Sequence, residues 1–462
     1  MTSEPPFRYV DLFAGIGGFA AALRSFGGAG VYSVEKDPAA ARVYELNWGR
    51  DPLGDLTEDA NDNVMRVPEH DVLAAGFPCQ PFSKSGAQRG MDETRGTLFW
   101  NILKVIEVRR PAIILLENVR NLAGPRHLHE WQVIIENLTA LGYRVADQPA
   151  VFSPHLLPLE MGGRPHVRER VFITATYDPS GLMDGVEPVP VVENRSLRGP
   201  EEWDLASDLP LEPVGCVDER PLTRTERLWI DAWDEWVRIM WALHRDEARR
   251  SGTRVSPLPG FPLWVDAWVR TDALCIPEET PAWKRTFLRK NSELYTKHQE
   301  AFDDWIERHD VRAFPPSRRK FEWQAQGTSA LWECVMQMRP SGIRAKRATH
   351  LPALVAIAQT SIVGGERKRR LSWREAARMQ GLPDNFTFGD QSPAATYRQL
   401  GNGVNVGAVW HVLREHVRRD EAILKTTEVG RRIVQSVLID APKSPDDVLA
   451  SVVAKAQTSG RD

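Results

Sequence analysis

The sequence lacks the features that mark secreted, membrane-spanning and zinc-binding proteins. Its 462 residues contain four widely spaced cysteines and no CxxC pair, which argues against a disulfide framework or a zinc knuckle. The start shows no basic segment followed by an apolar run, and no apolar run approaches the roughly 20 residues that cross a bilayer. These absences predict a cytoplasmic protein without membrane contact or bound metal.

A strong net charge is also missing, since the formal charge at pH 7 is −3. Taken alone, that value argues weakly against a nucleic-acid partner. The basic residues are nevertheless concentrated, because residues 311–374 hold thirteen Lys or Arg against three Glu. A surface that binds a polyanion shows this pattern, and a solvated surface face explains it equally well.

The chain is long and rich enough in apolar residues, at 42%, to form two or three domains. A segment rich in Pro and Gly, residues 179–194, predicts a linker. Eleven of the sixteen tryptophans lie between Trp203 and Trp332, so the composition shifts after that linker. Trp229, Trp233 and Trp236 share one helix face, which favours core packing over a stacking platform.

A strand, a glycine-rich turn and a helix open the chain. Phe7–Leu12 predicts the strand, Phe13–Phe19 the turn and Ala20–Ser25 the helix, which is the first unit of a doubly wound α/β domain. The turn is too compressed for a dinucleotide phosphate motif. It therefore indicates nucleoside binding in general.

Two acidic residues follow predicted strand ends. Glu35 comes directly after Val31–Val34, where a carboxylate suits hydrogen bonding to ribose hydroxyls. Asp55 lies where a third strand of the sheet is expected to end, and its carboxylate could accept a hydrogen bond from an adenine amino group. Capping of a helix that begins near Thr57 is an equally good explanation for Asp55.

One cysteine, Cys79, stands between Pro78 and Gln80 after an apolar run. A strand ending there would place the thiol at the carboxyl edge of a sheet, where open α/β folds keep their ligands. The polar, Gly-containing segment that follows, up to Phe99, predicts a mobile lid. Taken alone, a buried structural thiol is the commoner explanation for such a cysteine.

Charged residues also end two later strands. Glu117 directly follows the apolar Ala112–Leu116, so poor solvation should raise its pKa. The alternative role is helix capping. Arg168 and Arg170 alternate on entry to another strand, and two guanidinium groups on the same side suggest recognition of oxygen atoms.

The C-terminal part contains a predicted helix at Ser372–Met379 and a Gly/Asn turn at Leu400–Val406. The turn leads into a helix that extends to about Arg419. A further helix, capped by Ser444, is predicted in the charged tail.

These motifs together resemble the DNA (cytosine-5) methyltransferases of restriction–modification type. They occur in the order DLFAGIGGF, Glu35, Asp55, GFPCQPFS with RGTLF, ENV, RERVF, RRLSWREAARMQGLPDNF and GNGVNV. The resemblance extends from Asp11 to Val406. It implies a Rossmann-like, doubly wound, mostly parallel sheet of the class I S-adenosylmethionine methyltransferases. A smaller target-recognition domain would be inserted before the last motif, GNGVNV, which is called the closing motif below.

The resemblance assigns S-adenosylmethionine as methyl donor and names its contacts. Glu35 would hold the ribose and Asp55 the adenine amino group. The remaining cofactor residues surround the methionine and adenine parts or close the site. They are Phe13, Ala14, Gly15, Gly17, Gly18, Pro78, Asn402 and Val404.

The catalytic residues follow from the same motifs. Cys79 resembles the nucleophile that attacks cytosine C6, Glu117 the residue that faces N3, and Arg170 the residue that contacts O2, with Arg168 in support. His166 stands where the family usually has Gln. Its charge is expected to vary near neutral pH.

The resemblance also places the DNA contacts and the domains. The lid would contribute Ser83, Ser85, Gln88 and Arg95, and the basic segment RPSGIRAKR would contribute Arg339, Arg344, Lys346 and Arg347. The catalytic domain is expected at 1–178 plus 395–425. The recognition domain is expected at 195–390 and a tail at 426–462.

The predicted function is methyl transfer to C5 of a flipped-out cytosine in a specific double-stranded DNA sequence. The enzyme is expected to act as a monomer, beside a restriction endonuclease for the same site. A tRNA cytosine-5 methyltransferase and a catalytically inactive DNA-binding relative are the alternatives. The long, basic second domain favours DNA, and the presence of Cys79, Glu117 and Arg170 favours an active enzyme.

Overall fold

The computed structural model describes residues 4–78, 97–183, 185–198, 202–208, 211–213, 215, 220–354 and 360–459. The chain divides into two compact units. The first comprises Met1–Glu202, Pro352–Ala358 and Trp373–Asp462, and the second Trp203–Leu351 and Gln359–Ser372. The second unit is therefore inserted into the sequence of the first as two segments, which are separated by Pro352–Ala358.

The described residues form strands and helices in a mixed order. The strands are β1 (Arg8–Leu12), β2 (Ala29–Val34), β3 (Val72–Gly76), β4 (Ile113–Val119), β5 (Tyr143–Val145), β6 (Ala150–Phe152), β7 (His166–Val167), β8 (Arg170–Tyr177), β9 (Arg220–Pro221), β10 (Leu263–Trp264), β11 (Lys320–Gln324), β12 (Val335–Arg339), β13 (Gly342–Lys346), β14 (Leu351–Pro352), β15 (Ile362–Val363) and β16 (Arg369–Arg370).

The helices are α1 (Gly18–Ser25), α2 (Pro38–Trp48), α3 (Leu56–Asp59), α4 (Leu98–Arg109), α5 (Leu128–Ala140), α6 (Leu205–Asp208), α7 (Arg224–Ser251), α8 (Ala282–Lys297), α9 (Gln299–Arg308), α10 (Trp373–Met379), α11 (Pro393–Asn402), α12 (Val406–Arg419), α13 (Glu421–Leu424), α14 (Glu428–Val434) and α15 (Asp446–Ser459). Short 3-10 turns and one π-helical turn, Gln435–Ile439, connect them.

The first unit is built on a mostly parallel sheet of order β2-β1-β3-β4-β8-β5, with β6 also paired to β8. Strands β2, β1, β3 and β4 are parallel, and β8 runs antiparallel to β4, β5 and β6. β3 and β4 are almost entirely buried, as parallel strands covered on both faces must be. The predicted doubly wound α/β fold is confirmed.

Turns at the carboxyl ends of the parallel strands position the candidate site. The turn after β1 enters α1 through Gly17, which has φ 89° at the N-cap position. β3 ends at Gly76, which pairs in register with Glu117 of β4. The ends of β1, β3 and β4 therefore bring three predicted motifs to one edge of the sheet.

The second unit contains the sheet β10-β11-β13-β12-β15-β16-β9. The buried side chains of this sheet pack with α7, whose Trp233 and Trp236 are fully buried. Trp233 stacks on Phe321 of β11 with ring centroids 4.7 Å apart. The prediction that the tryptophan face of this helix is core is confirmed.

Two segments belong to a different part of the fold from the one expected. Residues 373–390 were expected in the second domain and 426–462 in a separate tail, yet both belong to the first unit. The physical reason is packing, because α10 contacts α11, and α15 contacts α1 and α2. Leu449 and Val453 of α15 are buried by these contacts.

Candidate active site

A cavity of about 440 Å³ opens at the carboxyl edge of the first unit's sheet. Its lining comes from the glycine-rich turn, from the ends of β2, β3 and β4, and from the segment before α12. The predicted site residues in the lining are Phe13, Ala14, Gly15, Gly18, Glu35, Pro78, Glu117, Arg170, Asn402 and Val404. Folding therefore gathers residues that are nearly four hundred positions apart in the sequence.

The glycine-rich turn and Glu35 are joined by hydrogen bonds. One carboxylate oxygen of Glu35 accepts from the Gly15 N–H at 2.8 Å, and the other accepts from the Asp37 N–H at 2.7 Å. A carboxylate has about four acceptor positions, so lone pairs remain for a pair of hydroxyl groups. Asp37 also lines the cavity and was not predicted as a site residue.

Phe13 has a backbone conformation that is rare for a residue with a side chain. Its φ is 58°, in the left-handed region, where a Cβ meets the neighbouring carbonyl oxygen. The half-buried ring lines the cavity. Such strain concentrates at binding sites, because the surrounding fold holds the residue in place.

Asp55 does not line the cavity. Its carboxylate caps α3 by accepting from the Thr57 N–H at 3.0 Å and pairs with the Lys36 ammonium at 2.6 Å. The hydrogen bonds from Lys36 and Thr57 lower its pKa. The capping role that the sequence left open is thus present, and the predicted contact with adenine remains a proposal.

Glu117 and Arg170 form an ion pair at the cavity wall. Arg170 Nε donates to Glu117 Oε1 at 2.8 Å, and only 11% of the Glu117 side chain is exposed. Val119 of β4 pairs with Arg170 of β8, which brings the two side chains together. The antiparallel pairing of β4 with β8 could not be predicted from the ENV and RERVF motifs taken separately.

The pKa of Glu117 is raised. Burial is the main cause, and the attraction of Arg170 and Arg168 opposes it without cancelling it. This direction agrees with the prediction from its place after a buried strand. A carboxyl group with a raised pKa holds its proton more readily and can donate a hydrogen bond.

Asn118 is a functional candidate that the sequence analysis missed. Its amide Nδ2 donates to the Phe77 carbonyl at 2.9 Å, while its Oδ1 accepts from the Val119 N–H at 2.8 Å. It thereby holds the main chain two residues before Cys79. The signal was present in the ENV motif, where only the glutamate had been assigned a role.

Arg168 has different partners from Arg170. It is buried and absent from the cavity lining. Its guanidinium donates to the carbonyl oxygens of Gly401 and Gly403 at 2.8 and 2.7 Å. The side chains separate because the chain leaves strand conformation between β7 and β8. Arg168 therefore holds residues 401–405, which comprise the end of α11 with Asn402 and the link to α12 and are called the closing turn below.

The glycine-rich turn and the closing turn are packed very closely. A Cβ on Gly18 would lie 2.7 Å from Val404 Cγ1 and 2.8 Å from the Val404 carbonyl oxygen. Only glycine fits there without a shift of main chain. Gly17 does not line the cavity, because it faces the indole of Trp48 instead.

The expectation that the charge of His166 varies near neutral pH is wrong. His166 is fully buried. Burial holds its pKa well below the usual value, and the neighbouring Arg168 lowers it further. The ring is therefore neutral at physiological pH.

Several predicted residues lie outside the described residues. These are the proposed nucleophile and the lid contacts, Cys79, Ser83, Ser85, Gln88 and Arg95. The described neighbours Phe77 and Pro78 bring the chain to the cavity immediately before Cys79. The roles of the five residues remain predictions.

The basic residues predicted to contact DNA lie on and after two strands of the second unit. Arg344 Nε donates to Glu322 at 2.6 Å, and Arg339 approaches the same carboxylate at 3.9 Å. Lys346 follows on the same strand and is half-buried, which lowers its pKa. Arg347 comes directly after β13. Part of the predicted positive charge is thus balanced by Glu322.

Among the residues that the structure describes, no three or more His, Cys, Asp or Glu side chains are grouped so as to hold a metal ion. The described helices also include none with the length and apolar character to cross a membrane.

The sequence of the chain matches a known family and known relatives. The family model for C-5 cytosine-specific DNA methylase matches residues 7–232 and 265–418. The Type II methyltransferase M.AluI of Cellulosimicrobium cellulans is 48% identical over 94% of this chain and 96% of its own length. M.HhaI of Haemophilus parahaemolyticus is 40% identical over 41% of this chain and 55% of its own.

A solved structure gives weaker information. The crystal structure of S. pombe Dnmt2 methyltransferase aligns with 91% of this chain and 99% of its own, at 15% identity and a TM-score of 0.42. The family model and the long alignment with M.AluI decide the assignment. This chain is a DNA (cytosine-5-)-methyltransferase, a member of the C-5 cytosine-specific DNA methylase family in the branch of the Type II methyltransferases.

Proposed function

We propose that the protein methylates C5 of a flipped-out cytosine within a specific double-stranded DNA sequence, through a covalent bond between Cys79 and C6. One observation carries the proposal. The Glu117–Arg170 ion pair, the end of the strand that leads to Cys79, and the glycine-rich turn with Glu35 line one cavity. A nucleophile, a partner for N3 and O2, and a cofactor pocket are what this reaction needs together.

The cavity residues fit S-adenosylmethionine, the methyl donor of the family. Glu35 has lone pairs available for ribose hydroxyls, and the strained Phe13 presents its ring to the cavity. Asn402 and Val404 close the opposite wall. When bound, S-adenosylmethionine supplies a methyl group from its sulfonium and departs as the neutral thioether.

The other chemical roles fall to side chains of the protein. The Cys79 thiolate adds to C6, which breaks the C5–C6 double bond and directs its electrons toward N3 and O2. Glu117 donates at N3 and Arg170 donates at O2, so the developing charge is stabilised. C5 then takes the methyl group. A base, for which water is the candidate, removes the C5 proton, Cys79 leaves as the double bond forms again, and N3 returns its proton to Glu117.

Supporting residues position these groups. Asn118 holds the Phe77 carbonyl close to Cys79, and Arg168 holds the closing turn. A base inside a duplex is inaccessible, and methyltransferases as a class flip it out. The lid residues Ser83, Ser85, Gln88 and Arg95 would then cover the flipped base.

The second unit is proposed to read the DNA sequence. Arg339, Arg344, Lys346 and Arg347 are its candidate contacts, and phosphate contacts of this kind set affinity while base contacts set specificity. We further propose that the enzyme acts as a cytoplasmic monomer and protects sites that a companion endonuclease cleaves.

Methyl transfer from tritiated S-adenosylmethionine to duplex DNA and to tRNA tests the proposal. We expect labelling of DNA, and bisulfite sequencing of DNA from expressing cells should give one methylated sequence. Cys79→Ser should lower the rate by about 10³-fold or more. Cys275, an exposed free cysteine of the second unit, provides the matched control, since Cys275→Ser should leave the rate unchanged.

The covalent step has a test of its own. Fluorine at C5 cannot leave as a proton does, so DNA with 5-fluorocytosine at the target should remain bonded to the wild-type enzyme in detergent. Cys79→Ser should form no such complex. Labelling of tRNA alone, or undiminished activity of Cys79→Ser, would overturn the proposal.

A further inference from the structure

His166 connects three segments of the first unit. Its Nε2 accepts from the Leu354 N–H at 3.1 Å, and its Nδ1 lies 3.3 Å from the Met379 carbonyl oxygen. A main-chain N–H only donates and a carbonyl only accepts. The ring must therefore carry its hydrogen on Nδ1 and a lone pair on Nε2, which is one defined neutral tautomer.

We propose that His166 is a positioning residue for methyl transfer, which bridges the main chain at Leu354 and Met379 and thereby fixes the strand entry that leads to Arg170. It is absent from the cavity lining, so it acts through other residues and is not a catalytic residue. The inference rests on the proposed role of Arg170 in the function described above.

Arg168 completes the same bridge. Its Nη1 donates to the Leu354 carbonyl at 2.8 Å, and its Nη2 reaches Gly401 and Gly403. Both main-chain groups of Leu354 are thus held by side chains two positions apart on one segment. Leu354 belongs to Pro352–Ala358, a short stretch of the first unit that lies in the sequence between the two segments of the second unit.

Met379 is held from a second direction. Its carbonyl oxygen also accepts from Asn405 Nδ2 at 2.9 Å, at the start of α12. His166 therefore joins the segment before Arg170 to the stretch that contains Leu354, and the Met379 carbonyl extends the connection to Asn405. A shift of any one of these segments would change the position of Arg170 relative to Glu117.

A glutamine side chain offers the same two groups as this imidazole. Its amide has an N–H that can donate to Met379 and an oxygen that can accept from Leu354. His166 thus offers the same fixed donor and acceptor as the glutamine that the family usually has at this position. Arg168, Arg170 and His155 are the charged or titratable groups around it, and none of them favours its protonation.

Steady-state kinetics of His166→Gln and His166→Leu test the proposal on the full-length enzyme. His166→Gln should keep kcat within about threefold of wild type and the same pH profile from pH 6 to 9. His166→Leu leaves the buried Leu354 N–H without an acceptor, so kcat should fall by about 5- to 150-fold. The Kd values for S-adenosylmethionine and for duplex DNA should change little in either variant.

A control and a second variant keep the outcome clear. His129 is exposed on α5, so His129→Gln should behave as wild type. If His166→Leu does not fold, His166→Asn replaces it, because its shorter side chain reaches one partner and not both.

A normal kcat in His166→Leu, or equal losses in the Gln and Leu variants, would overturn the inference. A pH profile that differs between wild type and His166→Gln would also overturn it, since the ring would then titrate. If wild-type enzyme labels no DNA, the proposed function fails instead, and the two failures are distinguishable.

Discussion

Phe13, Gly15 and Gly17 have φ values of 58°, 55° and 89° in one short turn. The left-handed conformation turns the chain from β1 into α1 within a few residues. The surroundings of the two glycines differ. A Cβ on Gly15 would meet nothing within 4 Å, whereas one on Gly17 would lie 2.0 Å from Trp48 Nε1. Both glycines therefore have left-handed backbone, but only Gly15 has room for a side chain.

This difference predicts unequal effects of the same substitution. Gly15→Ala should lower the free energy of unfolding by about 1 kcal/mol, from the left-handed conformation alone. Gly17→Ala should cost about 3 kcal/mol or more, because the buried indole is held by its hydrogen bond to the Ile16 carbonyl and cannot move aside. Urea unfolding of both variants measures this, and equal losses would contradict the packing argument.

Glu117 gives the second prediction at this scale. Glu117→Gln keeps a hydrogen-bonding group near N3 and removes the transferable proton, so kcat should fall by about 10²- to 10⁴-fold. The KM for S-adenosylmethionine should stay within about threefold, because the cofactor wall is intact. Radiolabelled methyl transfer checks both values. Glu136→Gln, on an exposed position of α5, should retain full activity.

At the scale of elements, the local sequence pattern was sufficient to predict a helix or strand wherever burial imposes a regular spacing of apolar residues. Strand β1, predicted at Phe7–Leu12, and the start of β4, predicted at Ala112, each lie within one residue of the observed bound, whereas β4 continues past the predicted end at Leu116 to Val119. Helix α11 and strand β6 were missed, because their short sequences carry no clear period. Pairing direction was also beyond prediction, since the contact of β8 with β4 depends on residues more than fifty positions apart.

Inside the site, too, features set by local sequence were predicted and those set by tertiary packing were not. Charged residues at the predicted end of a strand were identified from their motifs, as with Glu35 and Glu117, although β4 continues two residues past Glu117. The hydrogen bonds of Asn118 and Arg168 could not be predicted, because their acceptors are main-chain carbonyls whose direction follows from tertiary packing.

Helix α15 was predicted from the sequence, but its packing against the first unit was not. Leu449→Ala removes a buried side chain at the contact with α1 and α2, so the free energy of unfolding should fall by about 2 to 5 kcal/mol. Lys455→Ala, on the exposed face of the same helix, serves as control and should change it by less than about 0.5 kcal/mol. Equal stability of the two variants would mean that α15 is peripheral.

For the molecule as a whole, buried neutral histidines tie stability to pH. Burial lowers the pKa of His70 and His411 to about 4 and that of His416 to about 3. In the unfolded chain these groups titrate near pH 6.5. Below that pH these histidines bind protons in the unfolded state and not in the folded state. Each of them therefore lowers the free energy of unfolding as the solution becomes acidic.

His416 isolates this effect. It lies between Thr176, at 2.9 Å from Nε2, and Arg419, at 3.3 Å from Nδ1. Wild type should lose stability relative to His416→Gln by about 1.4 kcal/mol per pH unit from pH 6 to pH 4, because the glutamine cannot bind a proton. Urea unfolding at several pH values measures the difference. A difference that does not change with pH would show that His416 is protonated in the folded state.

The close packing of Gly18 against Val404 has a consequence for the life of the nascent chain. The wall of the proposed cofactor cavity that contains residues 401–404 is synthesised more than two hundred residues after the wall that contains Arg170. At about 5 to 20 residues per second, roughly 10 to 50 s pass between the synthesis of the two walls. Incomplete chains therefore lack one wall of the proposed cofactor pocket, and we expect methylation to begin only after residues 401–406 have been synthesised.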